Sequence, residues 1–489
     1  MRIENNQLYD IHIFLQISTK KCLFSCTLKW HFIFLPKIVK CHFTKSGVFV
    51  KCHFTKSNFN RINIMAIARN ILKQVLLDNQ KDVEKYEIFV RDYDLDSFPL
   101  MVFVGVRRSG KSFLLYQKIR QLLAEGHQWD EMLYLDFEDS RLDGFTADDF
   151  NLILECHQEM YGKRPMLFLD EIQNVDGWQK FARNLADRKY SAFITGSNAK
   201  MLSKEIMSAL GGRYLPVEVY PLSFREYLIC TDVKFDELSL TATESKARFM
   251  KAYNEYFAWG GLPEAVNLPV KRNYLSSVFQ KIYLGDIVQR NNISNPRLLQ
   301  LMVKKLAEGV MQPVSYTRIS KILSSVAGKI SVPTVSGYLQ YSEDAWLLLR
   351  LRNIASSFAE RESNCKYYFI DNGLLSLQLM NSETILLENI VALSLFRKYG
   401  HDNDNERVYF YNENVEVDFY VPEDELAIQV SYSITDANTL SREAGALQKL
   451  PNVRPCRHRV IITYDEESTL TDNYGNIEVI PCWKWMLEI

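Results

Sequence analysis

The octet G-V-R-R-S-G-K-S, at residues 105–112, has the glycine, lysine and serine spacing that binds a chain of phosphates. Its glycines permit a tight turn and a close approach of backbone N–H groups to phosphate oxygens. Lys111 would place a positive charge on the β- and γ-phosphates, and Ser112 would ligate Mg²⁺. Arg107 and Arg108 could face either phosphate or solvent. The octet therefore predicts a nucleoside triphosphate site with Mg²⁺, formed by Gly105, Arg108, Ser109, Gly110, Lys111, Ser112 and Phe113.

An acidic motif follows about 60 residues later, where the apolar run P-M-L-F-L ends in Asp170 and Glu171. Such a run predicts a strand buried on both faces, with its carboxyl end beside the phosphates. We expect Asp170 to hold the Mg²⁺ shell, and Glu171 to orient and polarise the water that attacks the terminal phosphate. A solvated acidic pair at the end of a strand is the alternative interpretation.

Two further positions are candidates for contact with the γ-phosphate. The strand-like run 191–195 is followed by a Gly-Ser-Asn sequence, in which Asn198 or Ser197 would sense the γ-phosphate unless the three residues form a plain turn. Arg213 follows two glycines, and an arginine there could reach the nucleotide of a neighbouring subunit in a homo-oligomer. An exposed arginine near a helix C-terminus is the alternative for Arg213.

The elements around these residues alternate between strand and helix. Helical spacing of apolar residues over 113–124 directly follows the octet, so the start of a helix would face the phosphates. This alternation is typical of an α/β fold in which helices wrap a parallel sheet. The predicted strands are 100–104, 132–137, 166–169, 192–195 and 214–219.

The composition indicates a globular, multidomain chain. Its 489 residues are 47% hydrophobic and 24% charged, and the length suggests about three domains. Residues 1–64 contain ten Lys or Arg and two Asp or Glu, so the remaining residues contain 48 Lys or Arg and 57 Asp or Glu. The chain after residue 64 is therefore mildly acidic. This charge argues against a dominant basic surface for nucleic acid but not against a local one. The cysteines have no C-x-x-C spacing, which predicts a cytoplasmic protein with reduced thiols. The sequence contains no run of 18 apolar residues, so we expect no membrane-spanning helix.

The first 64 residues differ in character from the rest. The octapeptide V-K-C-H-F-T-K-S occurs twice, at 39–46 and 50–57, and two copies are too few to bury a shared core. We favour the interpretation that the folded protein starts at Met65 and that residues 1–64 are a doubtful extension. The alternative is a zinc site, although the spacings match no standard finger, with ligands among Cys22, Cys26, Cys41, His42, Cys52 and His53.

Several motifs together resemble a large prokaryotic family of AAA-type P-loop ATPases with a C-terminal domain of unknown function. The resemblance covers about residues 65–489 and implies that the nucleotide is ATP rather than GTP and that it is hydrolysed to ADP and phosphate. In the first half it rests on the octet, Y-L-D-F-E-D at 134–139, L-D-E-I-Q-N-V-D-G-W at 169–178 and the run 194–228. In the second half it rests on W-G-G-L-P-E-A-V at 259–266, D-I-V-Q-R-N-N-I-S-N-P-R at 286–297, L-E-N at 387–389, E-V-D-F at 416–419 and I-Q-V-S-Y-S at 428–433.

The remainder of the chain divides into four regions: an AAA-type ATPase domain at 65–220, a helical connector at 221–312, a winged-helix-like region at 313–365 and an endonuclease-like domain at 366–489. In the winged-helix-like region, the expected recognition helix carries Glu343 and Asp344 and no Lys or Arg from 333 to 349. Phosphate neutralisation supplies most non-specific affinity for DNA. We therefore favour packing or dimerisation over DNA contact for this helix.

The pattern from residue 366 onward suggests a restriction-endonuclease-like fold, in which an acidic pair binds metal and a lysine activates water. Glu388 on a helix and Asp418 at the end of a strand would supply the pair. Gln429 stands in place of the second acid of the motif, and Ser431 in place of the lysine. Without a group to activate water we expect little or no cleavage, and a fold retained for binding.

The sequence thus predicts a Mg²⁺-dependent ATPase whose C-terminal half converts nucleotide state into binding of a protein or of nucleic acid such as DNA. An ATP-gated nuclease acting in DNA processing or defence is one alternative, and Ser431 argues against it. A slow nucleotide-dependent scaffold or regulator is the other, and Glu171 argues against it.

Overall fold

The computed structural model describes residues 69–197, 208, 210–236, 240–380, 383–400 and 407–489, with the backbone of three earlier strands. These strands belong to a unit of their own, Met1–Ala68, and form an antiparallel sheet in the order β1-β3-β2: β1 Ile11–Phe14, β2 Lys40–Thr44 and β3 Gly47–Cys52. The side chains of the predicted zinc ligands lie outside the described residues. Residues Arg69–Ile489 form the second compact unit.

A five-stranded parallel sheet forms the first part of this second unit, in the order β5-β6-β7-β4-β8. Its central strands are apolar on both faces because helices cover both sides, and all five residues of β4 are buried. The five strands predicted from the sequence are confirmed, with small shifts at their ends: β4 Leu100–Val104, β5 Met132–Asp136, β6 Met166–Asp170, β7 Ala192–Gly196 and β8 Leu215–Glu218. The helices are α1 Arg69–Lys85, α2 Lys111–Ala124, α3 Phe150–Tyr161 and α4 Trp178–Asp187.

The helical region expected after residue 220 is present. Ser223 begins its first helix with a capping box, since its hydroxyl accepts from the N–H of Glu226 and that carboxylate accepts from the N–H of Ser223. Residues Lys281–Gln289 form a π-helical segment, a rare conformation that often marks a functional site. The helices of the region are α5 Phe224–Cys230, α6 Thr243–Trp259, α7 Lys271–Gln280 and α8 Pro296–Glu308.

The next elements follow the order of a winged helix, with two helices joined by a turn at residues 328–331 and then a small antiparallel sheet in the order β10-β11-β9. Glu343 is buried, and its carboxylate lies 3.6 Å from the guanidinium of Arg350. Burial raises the pKa of Glu343 to about 7, although the positive charges of Arg350 and Arg352 act to lower it. Glu343 therefore packs inside the protein, and the choice between packing and DNA contact for the helix that contains it stays a prediction. The elements are β9 Val314–Ser315, α9 Tyr316–Ala327, α10 Val332–Asp344, β10 Leu348–Leu351, α11 Phe358–Ser363 and β11 Asn364–Phe369.

A six-stranded mixed sheet, in the order β12-β13-β14-β15-β17-β16, forms the last part of the chain. Asp418 lies within β13 rather than at its end, so that detail of the prediction was wrong. The strands are β12 Tyr409–Asn412, β13 Glu416–Val421, β14 Leu426–Val430, β15 His458–Thr463, β16 Ser468–Asp472 and β17 Gly475–Pro481. The helices are α12 Asn372–Ser376, α13 Glu383–Tyr399, α14 Ala437–Lys449 and α15 Cys482–Glu488.

The halves of the second unit pack against each other through side chains. Arg397 of α13 donates to the carbonyl oxygen of Pro221 at 2.8 Å, and the rings of Tyr253 and Tyr464 lie 5.1 Å apart. Within the part of the chain that the structure describes, no helix is both long enough and apolar enough to cross a membrane.

Candidate nucleotide site

The loop between β4 and α2 has a backbone that glycine makes possible. A Cβ at Gly105 would collide with the carbonyl oxygen of Val219, which belongs to the chain just after β8. Gly110 has φ 93° and ψ 22° and stands immediately before α2, and Arg108 also has a positive φ, of 68°. The loop therefore turns sharply onto the first N–H groups of α2, where a phosphate would meet the positive end of the helix.

Lys111 lies under this loop. Its Nζ donates to the carbonyl oxygens of Gly105 at 3.1 Å and Val106 at 3.0 Å. Burial lowers the pKa of Lys111, although the negative charges of Glu171 and Asp170 act to raise it. Ser109, predicted to bind the same phosphates, has a buried hydroxyl with no hydrogen-bond partner among the described residues. A buried ammonium and an unsatisfied hydroxyl at the start of a helix fit a phosphate chain.

Asp170 ends β6 and is almost fully buried. Its carboxylate accepts hydrogen bonds from the hydroxyls of Tyr134, at 2.9 Å, and of Thr195. Burial, followed by the charge of Glu171, raises the pKa of Asp170, and hydrogen bonds from Thr195, Ser112 and Tyr134 oppose that rise. The structure thus brings together Ser112 and Asp170, whose oxygens are ligands that Mg²⁺ accepts.

Glu171 has a left-handed backbone with φ 50°, which is uncommon outside glycine. Its N–H donates to the hydroxyl of Thr195 at 2.9 Å, and its carboxylate accepts from the side-chain amide of Gln173. That amide also contacts the hydroxyl of Ser197 at 3.4 Å. Thr195 therefore holds both acidic residues of the motif. The sequence analysis did not select Thr195 or Gln173, although a threonine at the end of the neighbouring strand is a usable signal.

The remaining predicted site residues have mixed positions. Arg213 pairs with Asp187, the last residue of α4, at 2.8 Å, which is the arrangement of the alternative interpretation. Action of Arg213 on another subunit stays a prediction. The half-buried ring of Phe113 contacts those of Tyr86 and Tyr116, and its part in nucleotide binding stays a prediction. Asn198 lies outside the described residues.

Residues of the second half cover the loop. Arg107 donates to both carboxylate oxygens of Asp286, at 3.0 and 3.1 Å, and these hydrogen bonds raise the pKa of Arg107. Arg108 donates to Glu264 at 2.6 Å. Both arginines are thus paired with acids of the second half, and contact of either one with phosphate stays a prediction. Asp286 belongs to the π-helical segment, so the loop is tied directly to that segment.

A buried arginine that the sequence analysis missed anchors the loop from below. Arg91 donates to the carbonyl oxygen of Ser109 at 2.9 Å and to both carboxylate oxygens of Glu226, at 2.8 and 2.9 Å. Its guanidinium is compensated on each side, as a buried charge requires. Arg91 and Glu226 therefore fix the loop relative to helix α5.

A family model described as an AAA domain matches residues 97–228, and a model described as a domain of unknown function (DUF8612) matches residues 250–384. Uncharacterized protein MJ1544 of Methanocaldococcus jannaschii is 34% identical over 447 residues, which cover 87% of this chain and 97% of the relative. An uncharacterized protein of Haemophilus influenzae is 32% identical over 402 residues, covering 80% and 94%. The chain belongs to this family of prokaryotic AAA-type P-loop ATPases.

Two solved structures have lower similarity. The Walker-type ATPase PABY2304 of Pyrococcus abyssi is 14% identical with a TM-score of 0.35, covering 64% of this chain and 95% of that one. The ORC1 protein of Aeropyrum pernix, solved in complex with DNA, is 12% identical with a TM-score of 0.25, covering 67% and 95%. Membership of the AAA-type family rests on the sequence relatives.

The C-terminal region of this AAA-type protein contains a buried charged triad. Lys366 on β11 donates to Glu388 at 3.2 Å and to Asp418 at 3.0 Å, and Tyr368 donates to Glu388 at 2.8 Å. Burial raises the pKa of Glu388, against the opposing charge of Lys366. The two acids predicted as a metal pair are thus close together, but a lysine ammonium lies between them. The endonuclease-like classification stays a prediction.

Proposed function

We propose that the protein hydrolyses ATP to ADP and phosphate with Mg²⁺ and uses the cycle to control its second half. The observation that supports hydrolysis most directly is the convergence of Lys111, Ser112, Asp170 and Glu171 at one edge of the parallel sheet. In open α/β sheets, ligands bind at the carboxyl ends of the strands. The preference for ATP comes from membership of the AAA-type family.

In this proposal each residue has a distinct part. Lys111 exchanges its two carbonyl partners for the β- and γ-phosphates, to which an ammonium binds more strongly. Ser112 and Asp170 would hold Mg²⁺, which neutralises phosphate charge when bound. Glu171 accepts a proton from water as the water oxygen bonds to the γ-phosphorus and the bond to the bridging oxygen of ADP breaks. Thr195 keeps Asp170 and Glu171 in place.

Two substitutions test these roles. Lys111→Ala should abolish tight ATP binding, because it removes the buried ammonium that lies under the loop. Glu171→Gln should still bind ATP but lose turnover by about 10²–10⁴-fold, the usual contribution of a positioned base. Phosphate release and titration with a fluorescent ATP analogue measure the two effects, with Glu125→Gln at the exposed end of α2 as a matched control. If Glu171→Gln hydrolyses ATP at the wild-type rate, the role given to Glu171 is wrong.

The same proposal includes a route from the nucleotide to the second half. Arg107 is bonded to Asp286, and a bound triphosphate would bring competing negative charge to the loop that carries this arginine. Displacement of Asp286 would release the π-helical segment, which leads within seven residues to α8 and then to the winged-helix elements. Nucleotide binding would thereby change the conformation of the region that we expect to bind a partner.

A nuclease activity is not proposed. The ammonium of Lys366 is bonded to both Glu388 and Asp418, so it is not free to activate water, and Ser431 offers no base. Among the described residues, no group of three or more His, Cys, Asp or Glu is placed to hold a metal ion. The C-terminal sheet is better assigned to structure or to binding than to cleavage.

A further inference from the structure

The segment from Gln289, the last residue of the π-helix, to Ser342, which precedes the two acids at the end of α10, is strongly basic although the chain as a whole is not. Residues 289–342 contain seven Lys or Arg and one Asp or Glu, whereas the complete chain has 58 and 59. The acid of this segment, Glu308, already pairs with Lys305 at 3.6 Å. This segment therefore carries a local excess of positive charge that the overall balance conceals, and three of its cations lie in α9 and the turn after it.

Three of these cations form a stripe along α9 and the turn after it. Arg318 and Lys321 are three residues apart on the exposed side of α9, and Lys329 is exposed in the turn that leads to α10. Over the ranges that the structure describes, none of the three takes part in an ion pair. By the helical rise of 1.5 Å per residue, the stripe is roughly 15 Å long. It presents unpaired positive charge to solvent.

The outward side of α10 has no charge of either sign near its start. Val332 and Pro333 are exposed, Gly337 is half-buried, and Gln340 is exposed one turn further on. A Cβ added at Gly337 would meet only the ring edge of Tyr341, at 3.9 Å, so the space above this glycine is open. The first half of α10 can therefore approach a negatively charged groove closely without repulsion.

Hydrogen bonds fix the turn between the two helices. Ser320 donates to the carbonyl oxygen of Ile330 at 2.8 Å, and the N–H of Ile330 donates to the hydroxyl of Ser324 at 3.0 Å. Ser331 then caps α10 by accepting from the N–H of Thr334 at 3.2 Å. The cationic stripe and the uncharged helix face are thus held in a fixed relation, which reduces the ordering cost of binding.

We propose that α9, the turn and the first half of α10 form a binding surface for duplex DNA. The three cations contact backbone phosphates, and α10 enters the major groove, which in B-form DNA is wide enough for a helix. The deep, narrow major groove of A-form RNA does not admit a helix, so charge and shape together favour DNA. The inference rests on the proposed function only for its regulation by ATP; the surface itself requires no hydrolysis.

Fluorescence anisotropy with a fluorescein-labelled 30-base-pair DNA of arbitrary sequence tests the surface in the full chain without nucleotide. Three phosphate contacts predict that the binding constant falls by about 40-fold between 50 and 200 mM salt, whereas one contact predicts a fall of about fourfold. Arg318→Glu with Lys321→Glu should weaken binding at 50 mM salt by at least about tenfold and reduce the salt dependence to the lower value. Gly337→Glu should weaken binding as well, through charge and bulk at an open position.

The control is Lys180→Glu with Arg183→Glu, an exposed pair at the same spacing on α4 that makes the same change in net charge. If this pair weakens DNA binding as much as the α9 pair, a specific surface is ruled out. Tighter binding of a 30-base-pair RNA than of the DNA would also overturn the inference. ATP hydrolysis is measured on every variant without DNA, so failure of the ATPase proposal and failure of the DNA surface give separate results.

Discussion

Replacement of Asp286 by asparagine is the sharpest test of communication between the nucleotide loop and the second half. The carboxylate of Asp286 accepts two hydrogen bonds from Arg107, at 3.0 and 3.1 Å. The side chain of Asp286 is 5% exposed and that of Arg107 is 19% exposed, so solvent screens the pair poorly. Asparagine keeps the shape of the side chain but removes the charge that would compete with a triphosphate.

The size of the effect follows from this geometry. Two unit charges about 3 Å apart attract by roughly 5–6 kcal/mol at an effective dielectric constant of 20, and desolvation of both groups offsets much of this. A net coupling of about 1–3 kcal/mol corresponds to a change of about 5–150-fold in affinity. We therefore expect Asp286→Asn to bind ATP at least about fivefold more tightly than the wild type.

Equilibrium titration with a fluorescent ATP analogue measures the change, and thermal melting confirms that the variant is folded. Glu264→Gln is the matched control, because it removes the carboxylate bonded to the adjacent Arg108 in a pair that is 55% and 47% exposed. Such exposed pairs contribute about 0.2–1 kcal/mol, so its affinity should change by less than about fivefold. A folded Asp286→Asn protein with unchanged or weaker ATP affinity would refute the competition between Asp286 and the triphosphate.

Two further substitutions test other contacts. Thr195→Val removes the hydroxyl that donates to Asp170 and accepts from the N–H of Glu171. It should lower kcat by about 10–100-fold, whereas Thr195→Ser should retain activity. Equal rates for the two variants would contradict the positioning role of Thr195. Lys366→Met leaves Glu388 and Asp418 without their cation and should destabilise the fold by about 3–5 kcal/mol in thermal or urea unfolding, while added Glu388→Gln and Asp418→Asn should restore most of the loss. If the Lys366→Met variant is as stable as the wild type, the triad contributes little to the stability of the fold.

The sequence was sufficient for the parallel sheet and for the residues of the nucleotide loop. Buried parallel strands are continuous apolar runs, and the turns between them carry glycines and acids that can be recognised locally. The 100–104 strand and the helix starting near Lys111 are examples. Local patterns of this kind place Lys111, Ser112, Asp170 and Glu171 at one edge of the sheet without knowledge of tertiary contacts.

Residues that reach the site from distant parts of the chain had no such signal. Asp286 is 179 positions from Arg107, and Glu226 is 135 positions from Arg91. No periodicity links such pairs, because their proximity depends on how the helical region packs over the sheet. Lys366 was missed for a related reason, since it reaches Glu388 and Asp418 from a strand of a different sheet.

Burial also changes how the two acids of α10 are interpreted. Glu343 points into the core beside Arg350, whereas Asp344 is half-buried and accepts from the side-chain amide of Gln340 at 3.0 Å. The cations lie instead on α9 and in the turn, one element earlier. Counting charge along a single helix therefore does not describe the proposed surface, which combines the cations of α9 with an uncharged face of α10.

The two proposed sites constrain each other because linkage is reciprocal. If displacement of Asp286 by ATP changes the DNA affinity of the α9–α10 surface by some factor, bound DNA must change ATP affinity by the same factor. Asp286→Asn should reduce both effects equally, since a variant without the competing carboxylate has lost the difference between the two states. Unequal losses in the two directions would mean that another contact carries part of the coupling, and Arg108 with Glu264 is the second tie between the loop and the helical region.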